Sequence, residues 1–330
     1  MTVLVTGGSG LVGSHVITTL RHASVPVRAL VRPGAASTVT ALGAEPVTGD
    51  VTDQDAWRRA AVGGVSGIVH AAAMVQERAG YAAYEAVNVG GTRLAIQTAH
   101  ATGAHLVHVS SVAVYGGTAD YRPDPAPSPR TEDTPFRPLT SHDLYARTKR
   151  EAESAIREAA AAGQISATAI RPDVIYGERD RQFAPRLYRS LKARFVPLVG
   201  PGTNHLACVY AGNVAAGIFA ALRARRPGFH AYNITRDAPP ALTLRQFLLT
   251  FAAACGFRIR LVPLPVTVAR WTLGLWSGLR QARAAFAFLT GENPFTTERA
   301  ERELGWSPSL DTGTAIARTA RWLLENEKPG

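Results

Sequence analysis

The chain opens Val3-Leu4-Val5-Thr6-Gly7-Gly8-Ser9-Gly10-Leu11-Val12-Gly13, a β-rich run that ends in glycines at 7, 10 and 13 and passes directly into a helical pattern through Val16, Ile17 and Leu20. Glycines at that spacing turn a chain sharply from strand to helix and leave the backbone bare. An anion can then approach closely, facing the free amides and the positive dipole end of the new helix. The backbone of Gly7, Gly10, Leu11, Val12 and Gly13 is therefore the candidate cradle for a dinucleotide pyrophosphate. A glycine-rich turn also arises from packing alone, so its surroundings decide. Residues 25–32, Val-Pro-Val-Arg-Ala-Leu-Val-Arg, read as a second strand, at the distance a βαβ unit of about 30 residues requires.

The end of that second strand discriminates between cofactors. An acidic residue there binds the ribose 2′-hydroxyl of NAD, whereas a nearby arginine accommodates the 2′-phosphate of NADP. The strand ends Val31-Arg32-Pro33 with no carboxylate, which favours NADP(H) over NAD(H) and makes Arg32 the candidate phosphate partner.

Further strands follow at 45–51, 67–73 and 105–111, each separated by helical pattern. Such alternation predicts an α/β fold built on a doubly wound parallel sheet. Asp50, with Val51 beside it, falls at a strand's carboxyl end, where it is placed to accept a bond from an adenine amino group. Ala71, Ala72 and Ala73 leave room for a cofactor across the next strand end.

Tyr145 and Lys149 stand four apart in a helical stretch, downstream of the pair Ser110-Ser111 at a strand end. Residues four apart share a helix face, with Cβ atoms about 5–6 Å apart. A phenol with a pKa near 10 is a poor base at neutral pH, and a neighbouring cation stabilises its ionised form. Hydride transfer at a carbon requires its oxygen to gain or lose a proton. Tyr145 with Lys149 suits that task, and Ser111 would hold the oxygen.

Taken together, these pieces resemble the extended short-chain dehydrogenase/reductases, over essentially the whole chain. The resemblance rests on residues 6–13, Gly49-Asp50-Val51, His70-Ala71-Ala72-Ala73, Asn88-Val89-Gly90-Gly91-Thr92, residues 110–116, Tyr145 with Lys149, and Arg171-Pro172-Asp173-Val174-Ile175-Tyr176-Gly177. It implies a Rossmann domain over about 1–175 and a smaller C-terminal α/β substrate lobe over 176–330, with some segments returning to the first domain. It also implies that Tyr145 is the general acid/base, that Lys149 binds the nicotinamide ribose and lowers the tyrosine's pKa, and that Ser111 orients the carbonyl or alcohol. Asn88 would support the cofactor-side network, counted here with the catalytic set, and Pro172 and Val174 would line the nicotinamide. Family habit suggests a homodimer through the helices near 88–102 and 145–162.

The family holds reductases, dehydrogenases, epimerases and dehydratases, so the substrate must come from the second half. Sugar-nucleotide members carry an arginine for the diphosphate before the strand that reads here as 206–210, and this chain has Leu206 there. An alkyl group is a poor replacement for a bidentate cation. Residues 197–205 resemble instead the branch containing 3β-hydroxysteroid dehydrogenases and 3-oxoacyl-type reductases. The expectation is a secondary alcohol/ketone oxidoreductase on an apolar small-molecule substrate, steroid-like or β-keto acid-like. The alternatives are a sugar-nucleotide epimerase or dehydratase with tightly bound NAD, and a non-catalytic cofactor sensor.

Residues 263–290 are rich in Trp and Leu, and no acid occurs between Asp237 and Glu292. They read either as a core helix with arginines facing water or as a basic amphipathic helix on a membrane surface. The arginines at 270, 280 and 283 exclude a transmembrane span. The chain has 330 residues, 46% of them hydrophobic, enough for a sizeable core. Its net charge of +11 does not imply nucleic acid, because the excess is nearly all arginine dispersed among Ala, Gly and Pro. Cys208 and Cys255 are too few and too far apart for a disulfide framework or a metal site, which fits a reducing cytoplasm. The start enters the first strand directly, with no room for a signal peptide. The proline-rich insertion 117–142 opposes regular structure and is expected to border the cleft.

Overall fold

Alternation in the opening strand shows how the sheet is built. Val3 and Val5 face one hydrophobic layer and Leu4 the other, all of them buried, as expected where helices cover both faces of a parallel sheet. The computed structural model describes residues 2–75, 80–116, 129–269 and 286–326. In chain order its first half runs β1 (Val3–Thr6), α1 (Leu11–His22), β2 (Val27–Val31), α2 (Ala36–Ala41), β3 (Glu45–Thr48), α3 (Gln54–Ala61), β4 (Gly67–His70), α4 (Tyr81–Tyr84), α5 (Gly91–Thr102), β5 (His105–Val109), α6 (Leu144–Ala161) and β6 (Ala167–Pro172). There follow β7 (Val174–Tyr176), α7 (Phe183–Leu191), β8 (Phe195–Val199), β9 (Cys208–Tyr210), α8 (Ala211–Ala224), β10 (Phe229–Ile234), α9 (Leu244–Ala254), β11 (Arg260–Leu264), α10 (Glu298–Leu304) and α11 (Thr312–Asn326).

The main sheet has 7 strands in the order β10-β6-β5-β4-β1-β2-β3, all pairings parallel. The strand order reverses between β1 and β4, and that crevice at the carboxyl ends is where such sheets take ligands. One face is covered by α1, α2 and α8, the other by α3, α5 and α6. The expected strands at 2–5, 25–32, 45–51, 67–73 and 105–111 all form, the observed ones mostly shorter. In all but the first, the last expected residues lie past the ladder, in the loops that carry the site. Helix α6 stops where Gly163 takes φ +70, with the Gly163 and Gln164 amides returning to Ala160 and Ala159.

The second half is not a separate body in sequence. β10, with α8 against α1, completes the main sheet, and Trp306 joins its core. The remainder builds a lobe on the parallel pairs β11-β8 and β7-β9, with a core from Tyr176, Leu198, Leu206, Phe247 and Phe251. Cys208 and Cys255 are free and buried. The described part of the proline-rich insertion is stapled down. The Arg130 amide donates to Pro294 O, the Arg137 amide to Tyr115 O, and the buried Glu132 accepts from the Asn233 amide.

Candidate functional site

The glycine turn is built by close approach. Gly7 has φ +69, and a Cβ there would meet the Ala72 amide at 2.7 Å. A Cβ on Gly13 would lie 2.2 Å from the Gly7 carbonyl oxygen, so only glycine lets the start of α1 pack onto the turn. The Gly10 amide donates to Gly7 O at 2.9 Å, and no side chain caps the N-terminus of α1. The first-turn amides around Leu11 and Val12 thus keep their donor capacity for an anion. Across the switch point, the Ala72 amide donates to Thr6 Oγ1, which ties the small, half-buried run Ala71-Ala72-Ala73 to the end of β1. These residues fit a dinucleotide.

Arg32 and Asp50 lie exposed beyond the ends of β2 and β3, beside each other because the Gly49 amide donates to Val31 O. The Asp50 Oδ1 already accepts from the Thr52 amide and hydroxyl at 3.0 and 2.8 Å. Val51 packs its side chain against Gly91 at the start of α5.

At the next strand end, Ser111 and Tyr145 meet by a side-chain hydrogen bond. Ser111 Oγ also accepts from the Ala113 amide at 3.1 Å. One turn on, Lys149 is 2% exposed, and its ammonium donates to Val109 O at 2.7 Å and lies 5.9 Å from the Tyr145 ring centroid. Pro172 ends β6, next to β5 in the sheet, and Val174 begins β7. The structure therefore gathers Gly7, Ala71, Ser111, Tyr145, Lys149 and Pro172 on one edge, the carboxyl edge of the sheet.

Burial governs the charges there. The Tyr145 phenol is pushed up to about 12 by desolvation, with the Ser111 hydrogen bond opposing. Burial also brings the Lys149 ammonium down to about 8, against the pull of Glu153. The expectation that the ammonium lowers the phenol's pKa is thus outweighed here, because the ammonium is turned to Val109 and a half-buried phenol loses solvation first. At neutral pH Tyr145 holds its proton and Lys149 its charge.

Asn88 lies against α6. It is 1% exposed on a π-helical turn, Glu85–Gly90, of a kind that often marks functional places. Its amide oxygen accepts from the Met74 amide at 2.7 Å, and its nitrogen donates to Met74 O and Thr148 Oγ1. Through these bonds Asn88 holds the chain after β4 against α6.

Sequence reasoning missed the group behind Lys149. Glu153, a further turn along α6, accepts from the Ser110 hydroxyl at 2.9 Å and is paired with Arg171 on β6, both side chains fully buried. Arg171 donates onward to the Tyr115 hydroxyl at 2.8 Å, and that hydroxyl donates to Asn233 Oδ1 at 2.8 Å. The signals were present, since 145, 149 and 153 share one helix face and a lone arginine interrupts an otherwise buried strand.

Residues 3–235 match the family model described as the NAD dependent epimerase/dehydratase family. The chain is 33% identical over 319 residues to a 4-hydroxy-2-methyl-3-oxo-4-farnesyl-3,4-dihydroquinoline-1-oxide ketoreductase from Stigmatella aurantiaca, covering 93% of this chain and 92% of the relative. It is 30% identical over 341 residues to a 3 beta-hydroxysteroid dehydrogenase/Delta 5-->4-isomerase from Mycobacterium tuberculosis, covering 95% and 88%. Among solved structures, a dTDP-glucose 4,6-dehydratase from Streptomyces venezuelae with NAD bound superposes with a TM-score of 0.74 at 26% identity, covering 99% and 98%. The protein belongs to the NAD-dependent epimerase/dehydratase family, the extended short-chain dehydrogenase/reductases. Its fold is the Rossmann-like α/β arrangement of that family, and its relatives are consistent with an NAD(P)-dependent oxidoreductase.

Removing one partner of the buried pair should be severe. Arg171→Met leaves Glu153 buried without its cation and is expected to cost about 3–5 kcal/mol of stability in urea unfolding. Arg171→Met with Glu153→Gln should recover part of that loss. An Arg171→Met variant within about 1 kcal/mol of wild type would contradict the network.

Proposed function

We propose that the protein interconverts a secondary alcohol and a ketone on an apolar substrate, with NADP(H) as the favoured cofactor and NAD(H) the second choice. The observation that carries this reading is the Ser111–Tyr145 hydrogen bond, backed by the buried Lys149, on the same sheet edge as the glycine turn. Gly7, Gly10, Leu11, Val12 and Gly13 would hold the pyrophosphate, Ala71 to Ala73 and Val51 the neighbouring cofactor surface, and Pro172 and Val174 the nicotinamide side. When bound, the nicotinamide supplies or accepts hydride at the carbon that bears the oxygen. Ser111 donates a hydrogen bond to that oxygen and fixes it beside Tyr145. Tyr145, protonated at neutral pH, gives its proton to the oxygen as the ketone becomes an alcohol, and takes one back in the reverse direction. Lys149 is the cation that stabilises the phenolate left behind.

Leu206 supports an apolar substrate. It stands where sugar-nucleotide members place a cation, and here it is buried in the lobe core with Phe247 and Phe251. The Stigmatella and Mycobacterium relatives are named for a ketoreductase and a hydroxysteroid dehydrogenase. The second reading, internal oxidation and reduction of a sugar nucleotide, draws on the NAD-bound dehydratase fold and on a shorter match to an undecaprenol-linked 4-epimerase of Escherichia coli. Oxidation of NADPH and NADH should be screened against steroid ketones, β-keto acids, aldehydes and UDP-sugars. Turnover of UDP-sugars without added cofactor would favour the second reading.

Within that screen, Tyr145→Phe should lower turnover by roughly 100-fold or more while NADPH still binds. A variant with wild-type turnover would remove Tyr145 from the chemistry and would suit a cofactor sensor. Arg32→Ala should raise KM for NADPH and leave that for NADH unchanged, whereas equal shifts for both would end the assignment of Arg32. The pH profile has a definite sign. Lys149 is charged below about 8 and neutral above it, and Tyr145 at about 12 stays protonated throughout. Reductive kcat/KM should therefore hold level near neutrality and fall as pH rises through about 8. A profile that instead rose through that range would contradict the roles given to both groups.

A further inference from the structure

Among the described residues, the small sheet of the lobe has an outer face that no other element covers. β8 and β11 pair in parallel, Arg260 beside Phe195 and Val262 beside Pro197. Val196 and Leu198 turn into the lobe core, while Phe195 is 56% and Val262 43% exposed. The chain directly after β11 adds Val266 at 37% and Val268 at 44% exposure. Solitary exposed apolar residues are ordinary, but two on one sheet face with two more in the segment that follows it are not.

Cations cluster at the Phe195 end of this face. Arg194, Phe195, Arg258, Ile259 and Arg260 line one groove, with Lys192 just before it. Arg194 lies 5.9 Å from the Phe195 ring centroid and Lys192 4.9 Å from that of Tyr188, so both lean on aromatic rings rather than on acids. The sequence offers few acids here: between Asp180 and Glu292 there is only Asp237. That carboxylate is buried and accepts from Tyr176, Tyr210 and Asn213. Asp180 receives the amides at the start of α7, and Glu292 is taken by His205. Exposed Phe and Val tips beside arginines that have no acidic partner among the described residues match the chemistry of an anionic bilayer, with phosphates for the guanidinium groups and an acyl boundary for the apolar tips.

We propose that the Phe195–Val262 face, with Arg194, Arg258 and Arg260 around it, docks the protein on an anionic phospholipid bilayer. The contact is peripheral, since among the described residues no helix is long and apolar enough to cross a membrane. Residues 270–285, most of the stretch in which the sequence alone suggested membrane contact, lie outside the described residues, and the face stands without them. The docking does not depend on the substrate reading.

Co-sedimentation of the full chain with phosphatidylcholine vesicles, with and without phosphatidylglycerol, tests it. Wild type should sediment with the anionic vesicles only, and added salt should release it. Arg258→Glu with Arg260→Glu should lower the binding constant by more than about tenfold, and Phe195→Ser should weaken it without changing its salt dependence. Both variants should keep the wild-type circular dichroism spectrum and thermal unfolding midpoint, which shows that they are folded. Absence of binding, equal binding to neutral vesicles, or wild-type binding by the charge-reversed variant would overturn the proposal. So would a protein that is dimeric in sedimentation velocity and becomes monomeric with Phe195→Ser, because the face would then be a self-contact.

Discussion

A lysine ammonium buried at the edge of a parallel sheet must find an acceptor, and in this protein it finds the carbonyl oxygen of Val109 at 2.7 Å. That one bond locks the end of β5 to α6. It fixes the rotation of the helix, and with it the direction of Tyr145 one turn earlier and of Glu153 one turn later. A carboxylate buried at that depth needs a cation, and Arg171 on the next strand supplies it. Arg171 in turn engages Tyr115, and Tyr115 engages Asn233 at the sheet's last strand. The polar column from Lys149 to Asn233 thus runs beneath the site and registers β5, β6, β10 and α6 against one another.

The same burial separates two groups that would otherwise titrate together. In water a phenol and an ammonium have nearly equal pKa values. Loss of solvation raises the acid whose charged form is an anion and lowers the one whose charged form is a cation. Tyr145 and Lys149 are moved apart in that way, to about 12 and about 8. Near pH 7 one is a neutral donor and the other a nearby positive charge, the pair that the proposed carbonyl reduction needs. Pairs of titratable groups driven apart by their surroundings are a recurrent mark of acid/base sites.

Much of this was legible in the chain. The strand-turn-helix at 3–20 could be read because glycine is required where a Cβ would strike backbone, as at Gly7 and Gly13. The parallel, doubly wound sheet followed from the alternation of strands and helices. Tyr145 with Lys149 could be read because four-residue spacing on a helix dictates a shared face. The Glu153–Arg171 pair is a contact between elements 18 residues apart, and such partners are set by packing rather than by local pattern. The bonds of the Asn88 amide were hidden for the same reason, because its partners, Met74 and Thr148, come from two other segments. The return of β10 and α8 to the first sheet reflects topology, which hydrophobic periodicity alone does not specify.

The account stands or falls on whether the glycine turn and the Tyr145–Lys149 pair serve a single bound molecule. A crystal structure of the protein soaked with NADP(H) measures this directly. The account predicts pyrophosphate on the amides at the start of α1, a nicotinamide ring facing the Tyr145 hydroxyl, and the Lys149 ammonium within hydrogen-bond reach of the adjoining ribose. A dinucleotide bound elsewhere, or one bound on the turn with its nicotinamide directed away from Tyr145, would contradict it.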